Sequence, residues 1–498
     1  MEKKYFNAFT GFIAREHWLA KVGDESSDTP SGHASLWRSN FYDKDLAFSI
    51  LDHLEIIENR ADHTEPYIIF KKTPQTNPLA NFRIGDIAVL YPAVEDTDTV
   101  LQHQVIKCTV TEIGSERVAV QPRYRQFNLK PFDTNGFWRL EPDMMDTGFA
   151  GMYRGLLEWA KTGLEKRSLV LGVNAPRTPA PDLADATPGR ANTGLLGIGI
   201  EERIANSRDY FLLWGPPGTG KTSVLLRNLA NTVLRDTSDN LLLLAYTNRA
   251  VDEMCEALDS IGGGIRSQYL RIGGKHSTAE RFREQLLNNK IAQSKTRSEL
   301  RAVLDRHRVF VSTVASLGQN EGLLRLKKFH RLIVDEASQI LEPQLIGLLT
   351  RFDHFTLIGD HRQLPAVTAQ RPASTQVEDH DLLGIGLTDL RDSYFERLYR
   401  RCQTESWHWA YGQLDRQGRM HADIMEFPKR FFYENNLHTL CHTLDAQHHQ
   451  HQALWYDLPG FDASLEKTVA EKRVIFIPTA PEPNAMPNQK TSSTEAAW

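Results

Sequence analysis

The chain has 498 residues, of which 41% are hydrophobic and 24% are charged, with a formal net charge of −5 and a sequence pI of about 6.4. These proportions are those of an ordinary globular protein and exclude a disordered or fibrous chain, while the length predicts about three or four domains. The acidic balance excludes a basic surface over the whole protein, so a nucleic-acid site has to be a local channel.

No run of about 18 apolar residues is present, and residues 1–10 lack the basic-then-apolar layout of a secretory signal. We therefore expect a cytoplasmic protein without a membrane partner. The cysteines lie far apart in the sequence and show no paired short spacing: Cys108, Cys255, Cys402 and Cys441. This spacing predicts neither a zinc site nor an iron–sulfur cluster.

Residues 1–75 are predicted to be mixed helix and loop without an assigned role, and the apolar spacing of Leu46–Ile57 favours a helix there. From Ile84 onward the apolar residues alternate with a period of two. That period is typical of strands with one buried face, and it predicts a small β-barrel within residues 76–150.

Cations and aromatic rings alternate just after the strands predicted for this barrel. The stretch contains Arg123, Tyr124, Arg125, Phe127 and Lys130. A surface of this composition suits single-stranded nucleic acid, because aromatic rings stack on bases while cations neutralise phosphates. An ordinary barrel rim is the open alternative.

Residues 151–192 are predicted to form a helix followed by a linker. Apolar side chains recur at four-residue steps, as on one face of a helix: Met152, Leu156, Ala160 and Leu164. Four prolines then interrupt the chain and place a linker at about 174–192.

Beyond the linker, short apolar segments alternate with helical patterns. The apolar segments are residues 210–214, 241–246, 309–312, 332–334 and 355–359. This alternation predicts an α/β fold with a parallel sheet covered by helices on both faces, and ligands at the carboxyl ends of the strands. We assign residues 193–405 to this domain.

A glycine-rich loop follows the first of these strands and precedes a predicted helix, Ser223–Leu234. Such a loop binds the phosphates of ATP through its backbone N–H groups and the positive end of the helix. Its residues are Gly215, Pro216, Pro217, Gly218, Thr219, Gly220, Lys221 and Thr222. Lys221 is expected to reach the β- and γ-phosphates, and the Thr222 hydroxyl to bind Mg²⁺.

Two adjacent carboxylates, Asp335 and Glu336, come directly after the strand at residues 332–334. Since neighbouring residues of an extended chain point to different sides, Asp335 is expected to hold Mg²⁺ while Glu336 faces the γ-phosphate. There Glu336 would act as the general base that orients the attacking water.

A phosphate loop with an Asp-Glu pair also fits the AAA+ ring ATPases, so further segments are needed to separate the families. They are Thr247–Asp252 (TNRAVD), Ser312–Thr313, Thr356–Pro365 (TLIGDHRQLP) and Leu414–His421 (LDRQGRMH). Together these segments closely resemble superfamily 1B helicases, in particular the branch with the nonsense-mediated-decay RNA helicase and the replication helicase-nuclease. The resemblance covers roughly residues 84–440.

The resemblance implies two RecA-like P-loop NTPase domains, a small β-barrel inserted in or preceding the first, and movement from five-prime to three-prime. It implies that Gln363 senses the γ-phosphate and that Arg419 reaches that phosphate from the second domain, which makes both catalytic together with Glu336. Thr247, Asn248 and Thr313 match positions that touch the backbone of the nucleic acid.

The chain departs from the pattern of this family in three places. Residues 191–200 contain no glutamine, the residue with which the family reads adenine, and Gly418 stands where a tyrosine is common. Only about 80 residues follow Gln417, fewer than a typical domain has. We therefore expect an incomplete second RecA-like domain at 406–479 and a disordered polar tail at 480–498.

The predicted function is an ATP- and Mg²⁺-dependent helicase or translocase that acts on single-stranded or tailed nucleic acid, with DNA favoured over RNA. A nucleotide- and nucleic-acid-binding module without unwinding activity is the alternative, and an AAA+ ring ATPase is a third, disfavoured by the GDHRQLP segment. The chain alone is expected to bind MgATP without unwinding a tailed duplex and to leave an apolar face uncovered after Arg473–Ile477.

Overall fold

A computed structural model describes residues 1–23, 34–133, 136–143, 147–179, 198–320, 322–440 and 474–475. The chain divides into two compact units. The larger unit comprises Met1–Gly215 and Lys221–Gln413, and the smaller unit comprises Pro216–Gly220 and Leu414–Trp498. Among the described helices, none combines the length and apolar character needed to cross a membrane.

The larger unit contains a closed barrel of six antiparallel strands in the order β1-β2-β5-β4-β3-β6. The strands are β1 (Leu51–Arg60), β2 (Tyr67–Lys72), β3 (Ile87–Ala93), β4 (Ile106–Ile113), β5 (Arg117–Pro122) and β6 (Phe137–Pro142). Alternate apolar residues fill the interior: Ile68 faces Val120 and Phe70 faces Val118, and all four side chains are fully buried. The predicted barrel is therefore present, and its last strand is β6 rather than β5.

The barrel begins earlier than the sequence predicts, and the helix expected at Leu46–Ile57 is wrong for most of that segment. Strand β1 starts at Leu51, and its register shifts between Leu51 and Leu54 against β6 and again between Ile56 and Glu58 against β2. Such bulges insert extra residues into a strand and interrupt its alternation. The period of two is therefore hidden in the sequence of β1.

Helices flank the barrel on both sides along the chain. They are α1 (Glu2–Val22), α2 (Ala34–Arg38), α3 (Phe41–Leu46), α4 (Thr147–Lys161) and α5 (Leu164–Leu171). Helix α1 packs on α4, with the rings of Tyr5 and Trp159 5.0 Å apart and those of His17 and Phe149 4.6 Å apart. A helix that precedes the barrel in the sequence, α1, and the helix that follows it, α4, thus form one packed pair.

The helix predicted from Met152 is confirmed as α4, although it ends at Lys161 and Leu164 already belongs to α5. Of the linker predicted at 174–192, residues 174–179 form neither helix nor strand. Residues 180–197 lie outside the described part of the chain, as does most of the segment in which the adenine-reading glutamine was sought.

A seven-stranded parallel sheet forms the rest of the larger unit, in the order β13-β7-β12-β11-β8-β10-β9. Its strands are β7 (Tyr210–Trp214), β8 (Leu241–Ala245), β9 (Tyr269–Ile272), β10 (Val309–Thr313), β11 (Arg331–Val334), β12 (His354–Gly359) and β13 (Tyr411–Gln413). All five predicted strands are present. The sequence misses β9 and β13, and β13 lies beyond the predicted domain boundary at residue 405.

Helices connect these strands. They are α6 (Ile198–Asn206), α7 (Arg227–Asp236), α8 (Asn248–Asp259), α9 (Leu287–Ile291), α10 (Arg297–Arg306), α11 (Val314–Gln319), α12 (Gly322–Leu326), α13 (Glu342–Leu349), α14 (His380–Leu383) and α15 (Tyr394–Thr404). The helix predicted at Ser223–Leu234 is confirmed: a π-helical turn at Lys221–Leu226 continues into α7.

In the smaller unit, β14 (Arg416–Gln417), α16 (Ala422–Phe432) and β15 (His438–Thr439) form a parallel strand–helix–strand unit. This agrees with the start of a second α/β domain. The remainder of the segment predicted at 406–479 lies largely outside the described residues, as does the tail at 480–498. Of the segment at Arg473–Ile477, the structure describes Val474 and Ile475, which are exposed.

Candidate functional site

Three neighbouring strands of the parallel sheet, β7, β12 and β11, end at the same edge. The loops that leave such an edge meet there, so residues distant in sequence come together. The side chains concerned are Lys221 and Thr222 after β7, Asp335 and Glu336 after β11, and Asp360 and Gln363 after β12. The backbone N–H of Gly215 donates to the carbonyl of Gly359 at 3.0 Å, which ties the start of the phosphate loop to the end of β12.

The Thr222 hydroxyl and the Asp335 carboxylate are in direct contact. Thr222 Oγ1 donates to Asp335 Oδ2 at 2.5 Å, and the other carboxylate oxygen, Oδ1, accepts the backbone N–H of Glu336 at 2.9 Å. A hydroxyl and a carboxylate oxygen are ligands of the type that Mg²⁺ selects beside nucleotide phosphates. The pair predicted from sequence to bind a metal is thus brought together and fits that ion chemically.

Glu336 has an unusual backbone conformation, with φ at +52°, in the left-handed region that non-glycine residues rarely occupy. The side chain then lies beside Lys221, whose Nζ is 3.5 Å from Glu336 Oε1, and Oε2 accepts the side-chain amide of Gln339 at 3.2 Å. The two carboxylates therefore diverge through a left-handed turn at Glu336. The sequence-based expectation of an extended chain at this point is wrong.

The pKa of Glu336 is raised above its ordinary value. Burial is the largest cause, Lys221 opposes it, and the negative charges of Asp335 and Asp360 add to it. A carboxylate of raised pKa is a stronger base than an ordinary glutamate, as activation of a water molecule requires.

The buried carboxylate of Asp360 holds Gln363 in place. Gln363 Nε2 donates to Asp360 Oδ2 at 2.7 Å, and Trp214 Nε1 donates to Asp360 Oδ1 at 2.9 Å. The Asp360 backbone N–H donates to Ser338 Oγ at 3.1 Å, which links this loop to the Asp-Glu loop. Sequence reasoning missed Trp214 and Ser338. The signal for Trp214 was an indole at the last position of a buried strand, since a buried indole N–H needs an acceptor.

In the smaller unit, the phosphate loop approaches the segment that contains Arg419. Gly218 has φ at +75°, and a Cβ at this position would lie 2.5 Å from Arg419 Cβ. The N–H of Gly418 donates to the Gly218 carbonyl at 3.0 Å, and Gln417 Oε1 accepts the N–H of Arg419 at 2.8 Å. Arg419 thus lies beside the loop, and its catalytic role stays a prediction.

Two of the residues predicted to touch nucleic acid cap helices at the ends of adjacent strands. Thr247, after β8, accepts the N–H of Ala250 at 3.1 Å, and Thr313, at the end of β10, accepts that of Ser316 at 3.0 Å. Thr247 and the neighbouring Asn248 are exposed, whereas Thr313 is 4% exposed. Thr313 therefore presents little surface to a ligand in this conformation.

The barrel residues predicted to bind nucleic acid lie in the connection between β5 and β6, which is not one of the loops that leave this sheet edge. Tyr124 and Phe127 are 76% and 82% exposed, and the Arg125 guanidinium lies 5.0 Å from the Phe127 ring centre. Arg123 and Arg125 are exposed as well. Single exposed rings are ordinary, but exposed apolar groups close together mark interaction surfaces, so the presence of Tyr124 and Phe127 within four residues favours a binding role.

The barrel also brings together three groups of the kind that ligate metals: Asp52, His53 and Asp96, whose ligand atoms lie within 4.8 Å of one another. However, Arg139 Nε donates to Asp52 Oδ1 at 2.8 Å, and Arg139 Nη2 lies 3.6 Å from Asp96 Oδ1. The guanidinium already neutralises these carboxylates, so the cluster is better explained as an ion-pair network than as a metal site.

Family models of known proteins match the parts of the chain that contain these site residues. One family model, described as an AAA domain, matches residues 199–299 and 277–371, and a second with the same description matches residues 390–497. The chain is 25% identical over 434 residues to the DNA replication ATP-dependent helicase/nuclease DNA2 of Gallus gallus, and 32% identical over 439 residues to that of Homo sapiens. It is 26% identical over 261 residues to the regulator of nonsense transcripts 1 homolog of Neurospora crassa.

The resemblance to superfamily 1 helicases is confirmed. The three matches cover 83%, 84% and 46% of this chain, but 40%, 38% and 22% of the respective relatives. The chain therefore spans less than half the length of each of these relatives. The family description alone does not separate a helicase from a ring ATPase, whereas the printed names of the two DNA2 relatives include the word helicase.

Proposed function

We propose that this protein is an ATP-dependent helicase or translocase that hydrolyses ATP with Mg²⁺ and moves on DNA. The observation that carries the proposal is the meeting of Lys221, Thr222, Asp335 and Glu336 at one sheet edge, with Gln363 held at the end of the adjacent strand. Relatives whose printed names include DNA replication and helicase support DNA as the substrate.

In this proposal each side chain performs one part of phosphoryl transfer to water. The glycine-rich loop binds phosphate through its backbone, and Lys221 neutralises phosphate charge. Thr222 and Asp335 hold Mg²⁺, which supplies charge neutralisation when bound. Glu336 accepts the proton of the attacking water as the bond to the leaving ADP breaks, and its raised pKa suits that task.

Gln363 and Arg419 complete the proposed reaction. An arginine that approaches the transferring phosphate stabilises charge in the transition state. This role is proposed for Arg419, and its position beside Gly218, within the smaller unit, supports the proposal. The bond from Gln363 to Asp360 keeps the glutamine amide at the strand end, where it can respond to the γ-phosphate.

Strand binding is proposed for the barrel connection that contains Tyr124 and Phe127, with Arg123 and Arg125 as phosphate contacts. Stacking of a base on an aromatic ring typically contributes about 1–3 kcal/mol. Because the net charge of the chain is −5, the affinity has to come from such local contacts. Thr247, Asn248 and Thr313 are proposed as further backbone contacts. A cytoplasmic location and a chain without zinc or iron–sulfur clusters stay predictions.

The ATP site is tested with Lys221→Ala and Glu336→Gln. Lys221→Ala is expected to weaken MgATP binding and abolish hydrolysis, whereas Glu336→Gln should bind MgATP like the wild type and lose about 10²–10⁴-fold in kcat. Glu253→Gln is the matched control, because Glu253 pairs with Arg249 on an exposed helix face. If Lys221→Ala and Glu336→Gln lost nucleotide binding equally, the proposed division of labour would be wrong.

The strand site is tested with Tyr124→Ala, measured as binding of a fluorescent single-stranded oligonucleotide. A loss of about fivefold or more is expected from one stacking contact. Tyr42→Ala is the matched control, since Tyr42 is 74% exposed, close to the 76% of Tyr124, but lies on α3. Equal effects of the two substitutions would contradict a strand site at Tyr124.

A further inference from the structure

The N-terminal helix α1 holds the far end of the loop that contains Gln363. Glu16, on the last turns of α1, accepts the backbone N–H of Ala369 at 2.9 Å through Oε2 and that of Gln370 at 2.7 Å through Oε1. The Glu16 side chain is 6% exposed. A buried carboxylate that accepts two backbone N–H groups fixes the chain more firmly than neutral hydrogen bonds do.

The Gln370 side chain joins the same helix through three further bonds. Its Nε2 donates to the Phe12 carbonyl at 3.0 Å and to Glu16 Oε1 at 3.1 Å, and its Oε1 accepts Arg15 Nε at 2.9 Å. Gln370 is 4% exposed, so these bonds are shielded from water. Residues 369–370 are therefore held against α1 by hydrogen bonds.

The near end of this loop is fixed at the sheet edge by the bond from Gln363 to Asp360. Between the two anchors, the apex carries Leu364 and Val367, which are 81% and 86% exposed. Between these two residues, however, Ala366 is 8% exposed, and Pro365 has a restricted φ angle. We therefore expect a displacement of residues 369–370 to shift Gln363 as well.

Helix α1 is itself tied to the element that follows the catalytic carboxylates. Tyr5 on α1 donates to Glu342 Oε1 at 2.5 Å, and Glu342 opens α13, six residues after Glu336. Arg397 Nε donates to the same carboxylate at 2.7 Å, and both charged groups are fully buried. One helix thus contacts the loop that follows Gln363 and the helix that follows Glu336.

We infer that α1 is a brace that sets the position of the Gln363 loop, with Glu16 and Gln370 as positioning residues for ATP hydrolysis. This inference rests on the proposed function of Gln363. Neither Glu16 nor Gln370 touches the reacting atoms in this account.

The test is a double-mutant cycle on the brace. Glu16→Gln removes the charge from the backbone contacts, and Gln370→Glu places a second carboxylate against Glu16. Each is expected to lower kcat for ATP hydrolysis about three- to tenfold while the Kd for MgATP changes less than about twofold, since a displaced positioning group affects the transition state most. The double variant removes the repulsion between two carboxylates but leaves the Phe12 carbonyl without its donor, so it should recover only part of the loss, about two- to threefold over Gln370→Glu alone.

The matched control is Glu2→Gln, the same chemical change on the same helix. Glu2 pairs with Arg167 at 3.1 Å and lies in the first turn of α1, 14 residues before Glu16. Hydrogen exchange of the amides of Ala369 and Gln370 gives a second readout, which does not depend on activity. It should speed up in Glu16→Gln and stay unchanged in Glu2→Gln.

The inference is overturned if the wild type hydrolyses ATP and Glu16→Gln matches Glu2→Gln in kcat, or if the double variant is as slow as Gln370→Glu. Unchanged exchange at residues 369–370 in Glu16→Gln would overturn the anchoring itself. A wild-type chain without any turnover would instead refute the proposed function, and the exchange measurement tells these outcomes apart.

Discussion

Replacing Gly218 with alanine introduces two separate costs into the phosphate loop. The backbone at Gly218 has φ at +75°, a conformation that costs an L-residue about 1–2 kcal/mol. The new Cβ would also lie 2.5 Å from Arg419 Cβ and 3.3 Å from Gln417 Oε1, and overpacking of this kind typically costs about 1–3 kcal/mol. The combined cost is about 2–5 kcal/mol.

If the loop relieves this cost by leaving its nucleotide-binding conformation, MgATP affinity should fall at least about 30-fold, the equivalent of 2 kcal/mol. The assay is a titration with a fluorescent ATP analogue. Gly262→Ala is the matched control, because Gly262 also has φ at +75° but no atom within 4 Å of the added Cβ. A Gly218→Ala affinity within about threefold of the control would refute the reasoning.

Three further predictions concern stability and nucleotide affinity. Arg397→Met should lower the free energy of unfolding of the larger unit by about 3–5 kcal/mol in a denaturant titration, because it leaves the buried Glu342 carboxylate without its cation. The control is Arg400→Met, which breaks a more exposed pair and should cost less than about 1 kcal/mol. Burial lowers the pKa of His354 to about 3, so the folded state disfavours its proton and stability falls as the pH drops below about 6.5. At pH 5 the loss should be about 2 kcal/mol, and it should be absent in His354→Gln; equal acid sensitivity of both proteins would contradict this. Gly418→Tyr should tighten MgATP binding about two- to tenfold if the added ring meets the adenine, and an unchanged Kd would exclude that contact.

The parallel sheet was predictable because its central strands are short, mostly apolar runs that end at the recognised motifs. Leu241–Ala245 and Tyr210–Trp214 are buried along their whole length. Strand β13 was not predictable, since Tyr411–Gln413 has only three residues with a glycine at its centre and is recognised only through its pairing with β7. Strand β1 was hidden by its bulges for a comparable reason.

The site was predictable in its residue types and not in its local geometry. The motifs placed Thr222 with Asp335 and Lys221 with Glu336 in the same region, and the structure brings both pairs into contact. The left-handed turn at Glu336 has no glycine to announce it, so the sequence favoured an extended chain. Contacts between residues far apart in the sequence leave no local sequence pattern either. The hydrogen bond from Gln370 to Glu16 on α1 joins residues that are more than 350 positions apart.

The central claim is that Glu336 catalyses ATP hydrolysis in response to a bound strand. The most direct measurement is the rate of phosphate release by the wild type and by Glu336→Gln, each with and without single-stranded DNA, beside MgATP binding by both. The account predicts equal binding, turnover by the wild type that rises several-fold with DNA, and a loss of about 10²-fold or more in Glu336→Gln. Turnover that is insensitive to DNA, or that survives in Glu336→Gln, would contradict it.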